Sequence, residues 1–163
     1  MADTRNTAGV IAPPPLLALG AVVLGLLLDH VAPAYVLTLL LSLDARIILG
    51  VELMVAGLAL VIMARRSFLA AGTNVEPWKP STTVVATGVF AWLRNPMYVG
   101  GTAALIGLAI LLASDWMVVT TVVMVLVLHF GVVQREERYL EAKFGDAYRN
   151  YKARVSRYGW PSL

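Results

Sequence analysis

Apolar residues run along this chain in long blocks, not in the short alternations of a water-soluble core. Four blocks are long enough to cross a bilayer as helices: 16–28, lengthened at its start by Pro13, Pro14 and Pro15, then 47–64, 97–113 and 116–133. Roughly 20 helical residues cross the hydrocarbon core, and proline is tolerated in a first helical turn. A fifth apolar block, 34–43, follows Asp29, His30 and Pro33 and precedes Asp44. It is short for a span and reads as interfacial, re-entrant or a kinked extension of the first helix. Past Val133 the pattern changes. Tyr139, Leu140, Phe144, Tyr148 and Tyr151 recur mostly at steps of three and four, which predicts a helix over 134–151 lying amphipathically against the membrane or the core. Residues 67–95 are rich in Gly, Thr and Pro and read as a long irregular loop, a length that usually marks function or disorder. With no internal repeat, the expectation is one domain over 1–163: an all-α polytopic membrane protein with about four transmembrane helices and an amphipathic C-terminal helix.

Composition supports lipid as the solvent. The chain is 59% hydrophobic with a mean hydropathy of +0.76, against roughly 45–50% apolar residues in soluble domains. With no cysteine among the 163 residues, disulfides, thiolate metal sites and cysteine nucleophiles are excluded. His30 and His129 are too few for a zinc site without carboxylate help, so no metal is expected. The net charge of +3 does not imply nucleic acid, because the basic residues flank the apolar blocks instead of forming one patch. With four spans, twelve of the thirteen Lys and Arg fall on one side and only Arg46 falls on the other. The positive-inside rule then places both termini and the loop 65–95 in the cytoplasm, in what reads as a bacterial inner membrane. Asp29, Asp44 and Asp115 collect on the opposite side. No small-residue cleavage site follows the first block, which is expected to stay as a helix.

Polar chemistry gathers on the basic side. Arg94-Asn95-Pro96-Met97-Tyr98-Val99-Gly100-Gly101 opens the third span. A helix start offers free N–H groups to a carboxylate or phosphate, and glycines allow close approach of a ligand or another helix. Glu136 and Glu137 close the fourth span. His129 lies seven residues before Glu136, a step that puts both nearly on one face of a regular helix, and an ionisable group in a span suggests function. His129 could equally bond a neighbouring helix, and the glutamates could pair with Arg135, Arg138 or Lys143. Glu52 lies far from this cluster and could pair with Arg46. Gly72 to Pro80 supplies Thr73, Asn74 and backbone amides that could line a polar pocket, while Trp78 is as plausible an interface anchor. Phe90, Trp92 and Tyr98 could hold an adenine or belt the membrane surface.

Two ordered blocks carry a resemblance. Gly72-Thr73-Asn74-Val75 followed by Thr83-Val84-Val85-Ala86-Thr87-Gly88-Val89-Phe90-Ala91-Trp92-Leu93-Arg94-Asn95-Pro96-Met97-Tyr98-Val99-Gly100 resembles the membrane isoprenylcysteine carboxyl methyltransferase family. Arg135-Glu136-Glu137, Leu140, Phe144-Gly145, Tyr148, Tyr151 and Val155 are similar to that family's C-terminal block. The resemblance covers about 65–157, and the related phosphatidylethanolamine N-methyltransferases share an Asn-Pro-Met-Tyr element and a Glu-Glu pair. It implies S-adenosyl-L-methionine as methyl donor. Thr82, Thr83, Val84 and Val85 would line the donor site with Phe90; Asn95, Pro96, Met97, Tyr98 and Gly100 would continue its wall, with His129 nearby. Glu136 would hold the donor's charged amino-acid end. Two departures bear on the acceptor: Asn95 stands where eukaryotic members have His, and Val132 stands where they place a substrate-binding Arg, which leaves Arg135 as the nearest replacement.

The resemblance therefore implies methyl transfer at the membrane to a lipid-linked acceptor, most readily the carboxylate of an isoprenylcysteine-like molecule. A carboxylate is already ionised near neutrality, so it needs orientation by Arg94 and Arg135 and no base. An amine acceptor, as in phospholipid N-methylation, would need a base such as Glu137 or His129. Two rivals of other kinds remain: a small transporter or assembly protein, for which Glu52 would be the intramembrane charge, and a fold-related reductase using a nicotinamide cofactor.

Overall fold

The structure is a computed structural model that describes residues 7–159, so Arg5 falls outside the described residues. Among these it is helical: α1 (Pro14–Val31), α2 (Val36–Leu40), α3 (Leu43–Ala70), α4 (Pro96–Leu112), α5 (Asp115–Leu128), α6 (Gln134–Phe144) and α7 (Asp146–Arg154), with a 3-10 turn at Gly88–Ala91 and a π turn at His129–Val133. The rods Pro14–Val31, Leu43–Ala70 and Asp115–Phe144 are long and apolar enough to cross a membrane. α4, a shorter apolar helix of 17 residues, is about 25 Å long at 1.5 Å per residue, and with the three rods it makes up a polytopic membrane protein.

The segment 34–43 becomes α2, a single short helix at the turn between α1 and α3. Two differences from expectation concern where helices stop. The fourth span and the predicted tail helix are one rod, because α5 passes through the π turn directly into α6. The predicted helix 134–151 is instead broken at Gly145, whose φ of +54° leaves the right-handed helical region, and α7 turns back from there.

Lipid-facing residues are large and inter-helix residues are small. On α1 only Ala21 and Gly25 are buried, and on α3 only Gly50, Gly57 and Ala64, while Leu, Ile and Val cover the outer faces. Without a hydrophobic force between helices in lipid, close backbone approach is what holds them together. A Cβ added to Gly100 would lie 2.5 Å from the Gly57 oxygen, and one on Gly107 would lie 2.6 Å from the Gly50 oxygen. These contacts seat α4 on α3. Gly25 meets Met117 in the same way and seats α1 on α5.

The end of the bundle away from the long loop is closed by hydrogen bonds. Asp115 accepts from the Val36 and Leu37 amides at 2.9 Å each, capping α2. Asp29 accepts from the Ser114 hydroxyl and, at 3.3 Å, from the Trp116 amide. The Trp116 indole donates to the Ala32 oxygen at 2.6 Å. The Arg46–Glu52 pairing that the sequence left open does not form: no ion pair joins them among the described residues, Glu52 is exposed on α3, and Arg46 Nε is buried without a partner. Six residues turn a helix through about 600°, leaving the two side chains some 120° apart, whereas contact needs a step of three or four.

Candidate functional site

At the other end, residues 71–95 fold back over the ends of α3, α4 and α6. Gly72, with φ +64°, ends α3, and the chain then closes on itself. The Thr82 amide donates to Thr73 Oγ1 at 2.9 Å, the Thr82 hydroxyl donates to the Gly72 oxygen at 3.1 Å, and Asn74 Nδ2 donates to the Pro80 oxygen at 2.8 Å. Phe90 stands edge-on to Phe68 at 4.9 Å between ring centres. Its carbonyl accepts from the Tyr151 hydroxyl of α7 at 2.8 Å, and the Ser81 amide donates to the Tyr139 hydroxyl of α6 at 3.2 Å. These contacts hold the loop as one wall of a cavity whose other walls come from α4, α6 and α7. The cavity measures about 100 Å³, several times the roughly 10–15 Å³ that one water requires.

Two carboxylates enter this cavity with different partners. The Tyr98 hydroxyl lies 3.0 Å from each oxygen of Glu136, and no Lys or Arg reaches ion-pair distance of Glu136 among the described residues. Glu137 has two cations. Arg157 forks onto it, Nε to Oε1 at 2.9 Å and Nη2 to Oε2 at 2.7 Å. Arg94 Nη1 lies 3.0 Å from Oε1 in a buried ionic contact that is not aligned as a hydrogen bond, and Arg94 Nε has no partner. The fork on Glu137 raises the Arg157 pKa and keeps that residue charged. Tyr148 of α7 stands beside the pair. Burial first, then the charge of Glu137, pushes its hydroxyl up to about 12 against the opposing pull of Arg94, so it stays a neutral donor near neutral pH.

Of the fifteen residues assigned from sequence to the donor and acceptor sites, eleven line this cavity, and Asn74 of the loop lines it too. The eleven are Thr83, Val84, Val85 and Phe90 from the loop, Arg94, Asn95, Pro96, Met97 and Tyr98 from the mouth of α4, and Glu136 and Glu137 from α6. Four do not. Thr82 spends both its amide and its hydroxyl on closing the loop. Gly100 faces Gly57 of α3 and is a packing residue. Arg135 is exposed and donates to the Gly9 oxygen at 2.9 Å, fastening residues 8–11 against the rod, where the Ile11 amide also donates to the Gly131 oxygen at 3.2 Å. His129 bonds Tyr158 and Gln134 at 2.8 and 3.1 Å. The π turn is the cause. It inserts one residue into the helix and rotates α6 by about 100° relative to α5, so His129 and Glu136 leave the shared face that a regular helix would have given them. Trp92 is exposed and belongs to the surface.

Arg157, Tyr148 and Tyr151 were not foreseen as parts of the site. One signal was present: a carboxylate at a span end calls for a cation, and the tail beyond Gly145 offers Arg149, Lys152, Arg154 and Arg157.

Comparison with known proteins adds three findings. The phospholipid methyltransferase family model matches residues 45–147, more than half of the chain. The human protein-S-isoprenylcysteine O-methyltransferase is 33% identical over 112 residues, 63% of this chain and 39% of that protein. The rat protein of the same name is 34% identical over 109 residues, 61% of this chain and 38% of that protein. The chain thus spans about two fifths of the length of these relatives.

Proposed function

This chain belongs to the phospholipid methyltransferase family, and we propose that it transfers a methyl group from S-adenosyl-L-methionine to the carboxylate of a lipid-linked, isoprenylcysteine-like acceptor at the membrane surface. The observation that carries this reading is the pairing of Glu136 with Tyr98 inside a cavity that also holds the partly unmatched Arg94. Among the described residues Glu136 has no cation of its own, which suits the ammonium of an amino-acid end. The loop wall of Val84, Val85 and Phe90 suits an apolar or aromatic face. The donor supplies a sulfonium-activated methyl group. As the acceptor oxygen forms its bond to the methyl carbon, the carbon–sulfur bond breaks, the sulfur leaves neutral, and no proton moves.

The chain's residues then have simple tasks. Arg94 orients the carboxylate, and Glu136, fixed by Tyr98, holds the donor in line. Proximity and exclusion of water supply most of the acceleration for so reactive a donor. The lipid tail reaches this mouth from between helices. The basic side is read as cytoplasmic.

A phospholipid amine is the second reading, favoured by the family's description. An amine must be neutral to attack, and Glu137, held by two arginines, is poorly placed to take a proton. Purified chain in nanodiscs, given labelled S-adenosyl-L-methionine and either N-acetyl-S-farnesylcysteine or phosphatidylethanolamine, separates the two. Label in a base-labile methyl ester is expected. Label in methylated ethanolamine lipid would replace the first reading with the second, and label in neither, with no donor binding, would overturn both.

A further inference from the structure

Residues 155–159 lie beyond α7 and cross the cavity end of the bundle as non-helical chain. Ser156 forms a parallel bridge with Leu93, and its oxygen accepts from the Arg94 amide at 2.9 Å. The Arg157 oxygen accepts from Asn95 Nδ2 at 3.2 Å, and the Tyr158 hydroxyl bonds His129 at 2.8 Å. The segment is thus fastened to the mouth of α4 on one side and to the π turn on the other. From between these ties Arg157 reaches in and occupies both oxygens of Glu137. The Glu137 side chain is 8% exposed and that of Arg157 is 32% exposed, so the fork closes over the carboxylate from outside.

Glu137 needs one cation and has two. The surplus falls on Arg94, whose side chain is 6% exposed, lines the cavity and keeps an unpartnered Nε. We propose that Arg157 is a positioning residue: by satisfying Glu137 through the C-terminal segment, it leaves the buried Arg94 guanidinium able to take an incoming carboxylate. The carboxylate belongs either to the acceptor or to the amino-acid end of the donor, and naming those two sources rests on the methyltransferase reading. Without Arg157, Glu137 would be a buried charge with one partner and would draw Arg94 fully onto itself. A lysine there would keep the charge but lose the two-pronged fit.

The test uses the full chain in detergent, with R157Q, R157K and the double variant R157Q/E137Q. Binding is measured for N-acetyl-S-farnesylcysteine, for its uncharged carboxamide and for S-adenosylhomocysteine. Wild type is expected to prefer acid over amide by about tenfold. R157Q should bring that ratio close to one if Arg94 takes the acceptor, or weaken S-adenosylhomocysteine by about tenfold if it takes the donor's end. R157K should fall between, and it carries the same comparison should R157Q fail to fold. The double variant removes the competing carboxylate, so it should recover the lost term to within about threefold. A segment that only stabilised the fold would weaken acid and amide together and leave the double variant no better, and that result overturns the proposal. So does an unchanged acid preference together with unchanged S-adenosylhomocysteine binding in R157Q. Should the acid bind with the expected preference yet never be methylated, the methyltransferase reading fails and the role of Arg157 stands.

Discussion

Where α1 meets α5, Asp29 and Asp115 each accept hydrogen bonds from backbone amides, and their job is complete: a short helix is capped and a loop is tied. At the opposite end, among the described residues, Glu136 has only the Tyr98 hydroxyl, while Glu137 draws two arginines onto one carboxylate. Both ends place ionisable groups at the margin of a membrane bundle. At the first, both carboxylates have their donors, and the one unmatched group, Arg46 Nε, lines no part of the cavity. At the second, among the described residues, a carboxylate lacks a cation, a guanidinium keeps an Nε without an acceptor, and both side chains line one cavity. A buried polar group without a partner is costly, so mismatched groups that line a cavity point to partners that arrive from outside. Position near the membrane surface does not separate the two ends, whereas the partners of their carboxylates do.

The largest effect should come from removing the unmatched carboxylate. Glu136→Ala is expected to weaken S-adenosylhomocysteine binding by about 3 kcal/mol, roughly a hundredfold, with thermal unfolding of the detergent-solubilised protein little changed. Titration calorimetry checks this, and unaltered affinity would mean that the two ends differ in wiring but not in function. Next comes the frame that brings α4 to the cavity. Gly100→Leu places a side chain where even a Cβ would sit 2.5 Å from the Gly57 oxygen. It should destabilise the bundle by about 2–3 kcal/mol, read as a lower midpoint of unfolding, and weaken ligand binding only as a consequence. An unchanged midpoint would show that α3 and α4 are not locked by this contact.

Much of this was legible in the chain itself, for identifiable reasons. Block length reports spans directly, because the bilayer sets a fixed ruler, and the run from Arg94 to Tyr98 marks a helix mouth by its proline alone. The face shared by His129 and Glu136 was not legible, since it assumed a regular helix and the π turn at His129–Val133 shifts the register. Gly100 carried two meanings, packing and ligand approach, and only the position of Gly57 on another helix decides between them. Arg157 was out of reach in a different way. Its partner lies 20 residues back along the chain, across the reversal at Gly145, and no periodicity connects them.

The matched end offers the converse experiment. Asp115→Ala should remove two hydrogen bonds from the start of α2 and lower stability by about 1–2 kcal/mol, the usual worth of a helix cap. Binding of S-adenosylhomocysteine should not change. If it did, the two ends would be coupled through the α5–α6 rod, and the contrast between them would be one of degree.

Arg135 gives the finest discrimination, because it belongs to one end by position and to the other by wiring. It sits just past the π turn and precedes Glu136, yet it is exposed and its guanidinium donates to the Gly9 oxygen at 2.9 Å. Exposed polar contacts of this kind contribute little, so Arg135→Ala should alter stability by no more than about 0.5 kcal/mol and methyl transfer by no more than about twofold. Initial rates with a carboxylate acceptor, set beside Arg94→Ala, make the comparison. A loss on Arg135→Ala as large as that on Arg94→Ala would mean that the strap of residues 8–11 shapes the acceptor's entry. Adjacency to the site would then matter more than having a partner, which is the opposite of what the two ends of the bundle imply.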